Sequence, residues 1–220
     1  MNFLLRSCVP LICFSMFSTV AHGAPIVPAG LNPGDEYHLV FVTDATRDAT
    51  STDIAVYNSF VQGEAALNPS ITGTDSGVTY NAIASTSAIA GSVNAPVTAP
   101  VYLLDGTKVA DGFADMWDAT IQAPIDVDQY LASGNCCDVW TGTTIFGAIQ
   151  VPLGDANPIN GHSLQSTSGW VAAAPRPQAN SSQLYGLSSK ITVAFPTPEP
   201  STAALLLLGT LGLICRRCRH

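Results

Sequence analysis

Basic residues are scarce in this 220-residue chain, eight against sixteen acids, and charged residues of both signs make up only 11% of it. Half of the eight, Arg6, Arg216, Arg217 and Arg219, sit at the two ends. Residues 24–195 therefore hold four basic residues (Arg47, Lys108, Arg176, Lys190) against fifteen acids, a net charge of −11. Such a surface repels phosphate backbones and anionic headgroups, so nucleic acid is not an expected partner. Cysteine is scarce in the same span. Of six, Cys8 and Cys13 lie near the start and Cys215 and Cys218 near the end, leaving only the neighbours Cys136 and Cys137. No disulfide framework can be built from one adjacent pair. A bridge between neighbours is strained, and two small, partly buried thiols in a loop are the expected state. Histidine is limited there to His38 and His162, and no His-x-x-x-His, Gly-x-Ser-x-Gly or phosphate-loop pattern occurs. Catalysis of the kinds those motifs mark is excluded, and no catalytic residue is assigned.

The ends have their own character. Arg6, the mostly apolar stretch from Cys8 to Val20, and the small residues of Ala21-His22-Gly23 before Ala24 form a secretory signal over residues 1–23. A lipid-attachment reading of Leu11-Ile12-Cys13 competes with it, opposed by the bulk of Ile12. At the other end, Ala203 to Cys215 is an apolar run of thirteen residues. Even with Ser201 and Thr202 it reaches about 22 Å as a helix, short of the ~30 Å hydrocarbon core. Arg216, Arg217 and Arg219 follow at once and belong on the cytoplasmic side. Pro196, Pro198 and Pro200 hold the preceding residues extended.

The order Pro198-Glu199-Pro200, Leu/Gly/Ala run, arginine cluster resembles the PEP-CTERM sorting signal of exported bacterial proteins. The resemblance covers residues 196–220. It implies an exosortase-type processing enzyme acting near Pro198, Glu199 and Pro200, transient insertion in the inner membrane through residues 203–215, and delivery to the cell surface or beyond. It also implies a bacterium that makes exopolysaccharide. A plain C-terminal tail anchor is the competing reading. The Cys215-x-x-Cys218 spacing, set among arginines, is not read as a redox motif.

Residues 24–195 are expected to form one domain. Tyr37 to Thr43 reads as a first strand. Ser51 or Thr52 can cap a helix running to about Leu67, with Ile54, Tyr57, Val61 and Ala65 on one face. Val101–Leu104, Asp105-Gly106 and Thr107–Ala110 predict a β-hairpin, because Asp-Gly takes the positive φ angles of a two-residue turn. Ala114 to Ile121 suits a short helix or turn carrying Trp117, and Val139-Trp140-Thr141 a buried strand start. Gly169–Ala172 and Leu184–Phe195 supply the last strands, and the first and last strands are expected to pair. Segments 68–98 and 144–182, rich in Gly, Ser, Thr, Asn, Pro and Ala, are expected to be long surface loops.

A second resemblance spans roughly residues 37–194. The succession "VYLLDGTKVADGFADMWDA", "PIDVD", "VWTGT", Gly169-Trp170 and "LYGLSS" is similar to the endostatin-like and C-type-lectin-like group. It implies an α+β fold with a mixed sheet, one or two helices and long loops. The paired disulfides and the Glu-Pro-Asn or Gln-Pro-Asp calcium-and-sugar motif of lectins in that group are missing here. The resemblance therefore speaks to fold more than to calcium-dependent sugar binding.

Six aspartates, Asp111, Asp115, Asp118, Asp126, Asp128 and Asp138, fall within twenty-eight residues. Asp126 and Asp128, at i and i+2 in an extended segment, point the same way and can clamp a hard cation such as Ca²⁺. Asp115 and Asp118, at i and i+3 on a helical turn, can do the same. A solvated acidic surface, with hydrogen-bonding roles in turns for Asp111 and Asp105, is the competing explanation. A pair of aspartates can also serve a glycosidase as acid and nucleophile, a matter of separation that sequence spacing does not set. Trp117, flanked by Asp115 and Asp118, can stack on a sugar ring or fill the core, and Trp140 belongs to the core. No cofactor is expected, with Ca²⁺ the one candidate. The expected function is that of an exported, non-enzymatic surface or matrix protein associated with extracellular polysaccharide. A lectin-like glycan-binding module is the alternative, and an exported glycoside hydrolase the third reading.

Overall fold

The computed structural model describes residues 25–72 and 77–196, so the expected signal at residues 1–23 and the tail from residue 197 lie outside the described residues. In chain order the elements are β1 (Glu36–Val42), α1 (Ile54–Ala66), α2 (Pro69–Thr72), β2 (Tyr80–Ala82), α3 (Gly91–Asn94), β3 (Val101–Leu103) and β4 (Lys108–Ala110). There follow α4 (Phe113–Met116), β5 (Asp138–Trp140), β6 (Ile159–His162), a 3₁₀ turn at Ser168–Trp170, β7 (Ala174–Pro175), β8 (Gln183–Ser188) and β9 (Ile191–Thr192). A mixed sheet with few helices places the domain in the α+β class.

Strand β1 is buried at every residue after Glu36. Its unbroken Tyr-His-Leu-Val-Phe-Val run suits a strand covered on both faces. It lies parallel to β3, with His38 opposite Val101 and Val40 opposite Leu103. On its other edge it runs antiparallel to β8, with Val40 opposite Leu187 and Val42 opposite Tyr185. Its first residues pair with β9, so the expected union of first and last strands is present. The sheet order is β4-β3-β1-β8-β5-β6-β7, with β2 also on β8.

Helix α1 is capped by Asp53, whose Oδ1 accepts the Ala55 amide at 2.9 Å, rather than by Ser51 or Thr52. Ser51 instead turns its hydroxyl to the Asp53 amide, so the cap falls just after both expected residues. Tyr57, Val61 and Ala65 are buried as their spacing predicts, and Ile54 is half-buried. The helix lies close against β8 at Gly186. A Cβ there would come within 2.5 Å of Val61 Cγ1 and 2.6 Å of Phe41 Cε1.

The β3–β4 hairpin forms, but not with a two-residue turn. Only Gly106 takes a positive φ, +90°, while Leu103 pairs with Thr107 across the loop and the register shifts beside Tyr102. Asp105 instead accepts the Thr107 amide on Oδ1 at 2.8 Å, and a side chain used in that way stabilises a turn with ordinary φ at Asp105.

The two segments expected to be loops contain structure. β2, α2 and α3 fall within 68–98, and β6 and β7 within 144–182. These elements are two to four residues long, and partners rather than local pattern specify them. Gly169–Ala172, expected as a strand, carries the 3₁₀ turn that drives Trp170 inward. Trp170 is fully buried, 5.5 Å from the Trp117 ring and 5.9 Å from the Tyr185 ring. Tyr185 returns its hydroxyl to the Trp170 carbonyl at 3.0 Å. Trp140 is also fully buried, and its indole N–H donates to the Arg47 carbonyl at 3.0 Å. These aromatic groups fasten the sheet centre to the long irregular stretches around it.

Candidate functional site

The aspartates fall into two groups. Near α4, Asp115 Oδ2 accepts the Asp111 amide and the Gln122 Nε2, each at 2.7 Å. Gln122 Nε2 also reaches Asp111 Oδ2 at 3.0 Å, and Lys108 Nζ holds Asp111 Oδ1 at 3.0 Å. The Lys108 hydrogen bond, aided by Gln122, keeps the Asp111 carboxyl below the usual carboxylate range. Asp118 Oδ1 accepts the amide and hydroxyl of Thr120, at 3.0 and 2.9 Å. Both contacts lie two residues ahead, the reach of an aspartate closing its own turn.

Trp117 does not stand out between these carboxylates. It is 5% exposed, packs against Trp170, and has Gly147 against its face, where an added Cβ would sit 3.0 Å from Cδ2. The aromatic surface on α4 belongs to Phe113, 53% exposed.

Asp126 and Asp128 stand before a loop and hold it from Tyr130 to Asn135. Asp128, 3% exposed, accepts the amides of Tyr130 and Ala132 on Oδ1 at 2.8 and 3.0 Å. Asp126 Oδ2 accepts the Gly134 amide at 3.0 Å, and its carbonyl takes the Asn135 amide. Asp138, the next carboxylate, is engaged through both oxygens, with Asn160 Nδ2 at 2.8 Å and Arg176 Nη2 at 2.8 Å.

The loop that Asp126 and Asp128 pin delivers Cys136 and Cys137 to the start of β5. Both are exposed, and a disulfide joins them, which corrects the expectation of two partly buried, unpaired thiols. The local reason is a shared anchor, since Ser163 Oγ donates to the Asn135 carbonyl at 2.5 Å and contacts the Cys137 carbonyl at 3.4 Å. The Ser163 amide also donates to Cys137 at 2.9 Å. One hydroxyl thus gathers the backbone on both sides of Cys136.

β6 pairs antiparallel with β5 so that His162 stands opposite Asp138. That register brings the imidazole to the cysteine pair. Among the described residues, Cys136, Cys137 and His162 form the one group of three His, Cys, Asp or Glu side chains with ligand atoms close enough to share an ion, all within 4.8 Å of one another. The cysteines also line a polar groove of about 410 Å³ with Asp44, Asp138, Ser181 and Gln183. Sequence reasoning took the cysteines and His162 separately, and only the cross-strand register could have joined them.

His38, the other histidine, is 2% exposed. Its Nε2 accepts the Thr98 amide at 3.1 Å, so Nδ1 carries the proton and donates to the Ser188 carbonyl at 2.8 Å. Burial holds this imidazole below its ordinary pKa. Its role is to tie β1, β8 and the residue-98 loop together.

The sorting residues Pro198, Glu199 and Pro200 lie outside the described residues, as does the apolar run 203–215. Among the described residues no helix is long and apolar enough to cross a membrane. No curated protein matches the chain. The PEP-CTERM protein-sorting motif matches residues 196–219, which makes this an exported protein carrying the signal that an exosortase recognises.

Proposed function

We propose that the protein is a non-enzymatic component of the cell surface or exopolysaccharide matrix, handed over by an exosortase after transient anchoring through residues 203–215. The observation that carries this reading is the sorting motif at residues 196–219. Association with polysaccharide is supported by charge, since a span of net charge −11 repels polyanions but not a neutral polyhydroxylated polymer. Function without turnover is supported by the aspartates, which are spent on backbone amides and on Lys108, Gln122, Asn160 and Arg176. A lectin-like reading of the fold is supported by the β3–β4 hairpin, the pairing of β1 with β8 and β9, and the buried Trp140 on β5.

A second reading, a glycan-binding module, is favoured by the exposed ring of Phe113 near Asp115 and Asp118. Here Phe113 supplies the stacking surface in place of the covered Trp117, and the carboxylates accept hydroxyl protons. Calcium assistance would draw on Asp126 and Asp128. The test of the first reading is replacement of Pro198, Glu199 and Pro200 by alanine. It should leave an unprocessed chain in the membrane fraction, and unchanged mature mass and surface location would overturn it. A glycan array with and without chelator tests the second. Turnover of the organism's own polysaccharide that is lost on changing Asp115 or Asp118 would restore the hydrolase reading.

A further inference from the structure

We infer that Cys136, Cys137 and His162 form a redox-gated site for a thiophilic d¹⁰ cation of the zinc type, closed as the disulfide and open as the dithiol. Two thiolates and an imidazole are the donor set that favours such ions over Ca²⁺ or Mg²⁺. The spacing suits it. Tetrahedral zinc needs ligand atoms about 3.8 Å apart for two sulfurs and about 3.5 Å for sulfur and nitrogen. The three ligand atoms lie within 4.8 Å of one another with the cysteines joined, so reduction frees two sulfurs that already stand beside the imidazole.

The platform is rigid where it needs to be. His162 is fixed by pairing with β5, whose Trp140 is fully buried, and the cysteines by Ser163 and the loop that Asp126 and Asp128 hold. His162, on β6, keeps its position better than a ligand on a free loop, and the cysteines sit one and two residues before β5. Binding costs little in existing contacts. His162 Nδ1 accepts the Leu164 amide at 3.3 Å, a long hydrogen bond that is given up whichever ring nitrogen binds. Asp138, with both oxygens engaged, is not a fourth ligand, which leaves that position to water. The acid surplus of the domain draws cations toward the site.

The chemistry balances in two steps. Two equivalents of a small thiol, or one dithiol oxidoreductase, give two electrons and two protons to the Cys136–Cys137 bond and are themselves oxidised to a disulfide. The two thiols then bind the cation through sulfur, releasing two protons, while neutral His162 supplies the third bond.

The test uses the full-length chain in detergent with Cys8, Cys13, Cys215 and Cys218 replaced by serine. After reduction and anaerobic removal of the reductant, Co²⁺ is titrated and then displaced with Zn²⁺. The inference expects one equivalent per chain with a thiolate-to-cobalt charge-transfer band, and no band in the disulfide form. Cys136→Ser or Cys137→Ser should weaken binding about a hundredfold and His162→Ala about tenfold, with the far-ultraviolet spectrum unchanged. Zn²⁺ should also shield both thiols of the parent chain from iodoacetamide, a readout that needs no further substitution. Absence of the band in reduced protein, a band indifferent to Cys136→Ser, or alkylation unaffected by Zn²⁺ would each overturn it.

Discussion

Replacing Asn94 by alanine tests whether a side-chain network holds residues 80–95 in place, where the sequence has almost no local pattern. Asn94 is 7% exposed. Its Nδ2 donates to the Ala82 carbonyl at 2.7 Å and to Asn58 Oδ1 at 2.8 Å, and its Oδ1 accepts Asn58 Nδ2 at 2.9 Å. Alanine removes all three bonds, each worth about 1 kcal/mol net. Two losses are softened, because Asn58 is half-buried and can turn to water, while the Ala82 carbonyl keeps the Ala84 amide at 2.9 Å. The expected cost is about 2 kcal/mol. With a urea dependence of about 2 kcal/mol per molar, the unfolding midpoint followed by tryptophan fluorescence should fall by about 1 M.

Asn94→Asp is the sharper form of the experiment. It keeps the shape but sets an acceptor oxygen where Nδ2 faced the Ala82 carbonyl and Asn58 Oδ1, so a buried charge meets acceptors with no donor between them. Its cost should exceed that of alanine, at about 3–4 kcal/mol. A double-mutant cycle with Asn58→Ala should return a coupling of about 1 kcal/mol. An Asn94→Ala change within about 0.5 kcal/mol of the parent, or an aspartate no worse than alanine, would refute the argument.

Gly186→Ala should cost about 1–3 kcal/mol by wedging a methyl between Val61 and Phe41, measured as a drop in the same urea midpoint. Stability should depend on pH through His38. The folded state prefers the neutral imidazole, so the unfolded chain binds the proton more readily, and stability is full above about pH 6.5 and falls as pH drops below it. Denaturation at pH 7.5 and 5.5 should show that loss, and His38→Gln should flatten it. Asp128→Ala should cost about 1–2 kcal/mol by releasing the Tyr130 and Ala132 amides, whereas Asp128→Asn, which keeps an acceptor oxygen, should cost less. Because that carboxylate is already committed to its loop, millimolar Ca²⁺ should shift the melting temperature by under about 1 °C, and a larger shift would restore the calcium clamp.

What could be read in the sequence was what is local. The apolar run of β1, the three-and-four spacing of Tyr57, Val61 and Ala65, and the hairpin around Asp105-Gly106, though not its turn type, are each written into a few neighbouring residues. β2 and β6 do not. Tyr-Asn-Ala and Ile-Asn-Gly-His become strands because β8 and β5 offer them partners, so their signal lies a hundred or twenty residues away. Trp170 was misread for the same reason, since Gly-Trp-Val-Ala has strand composition yet is bent by the need to bury an indole against Tyr185. The contacts of Asp118 with Thr120 and of Asp128 with Tyr130 were open to reading, because each reaches only two residues ahead. The meeting of His162 with the cysteines was not, for it depends on the β5–β6 register.

Strand β8 touches β1, β2 and β5, yet it comes within forty residues of the carboxyl end. The piece that locks the centre of the sheet is made after every strand it locks. Until it arrives, β1 lacks the strand along one edge, β2 has no strand partner, and β5 pairs with β6 alone. A chain that emerges from its amino end therefore cannot complete this sheet until residues 183–188 are free. Closure of the sheet therefore waits on a strand that lies just ahead of the sorting motif at residues 196–219.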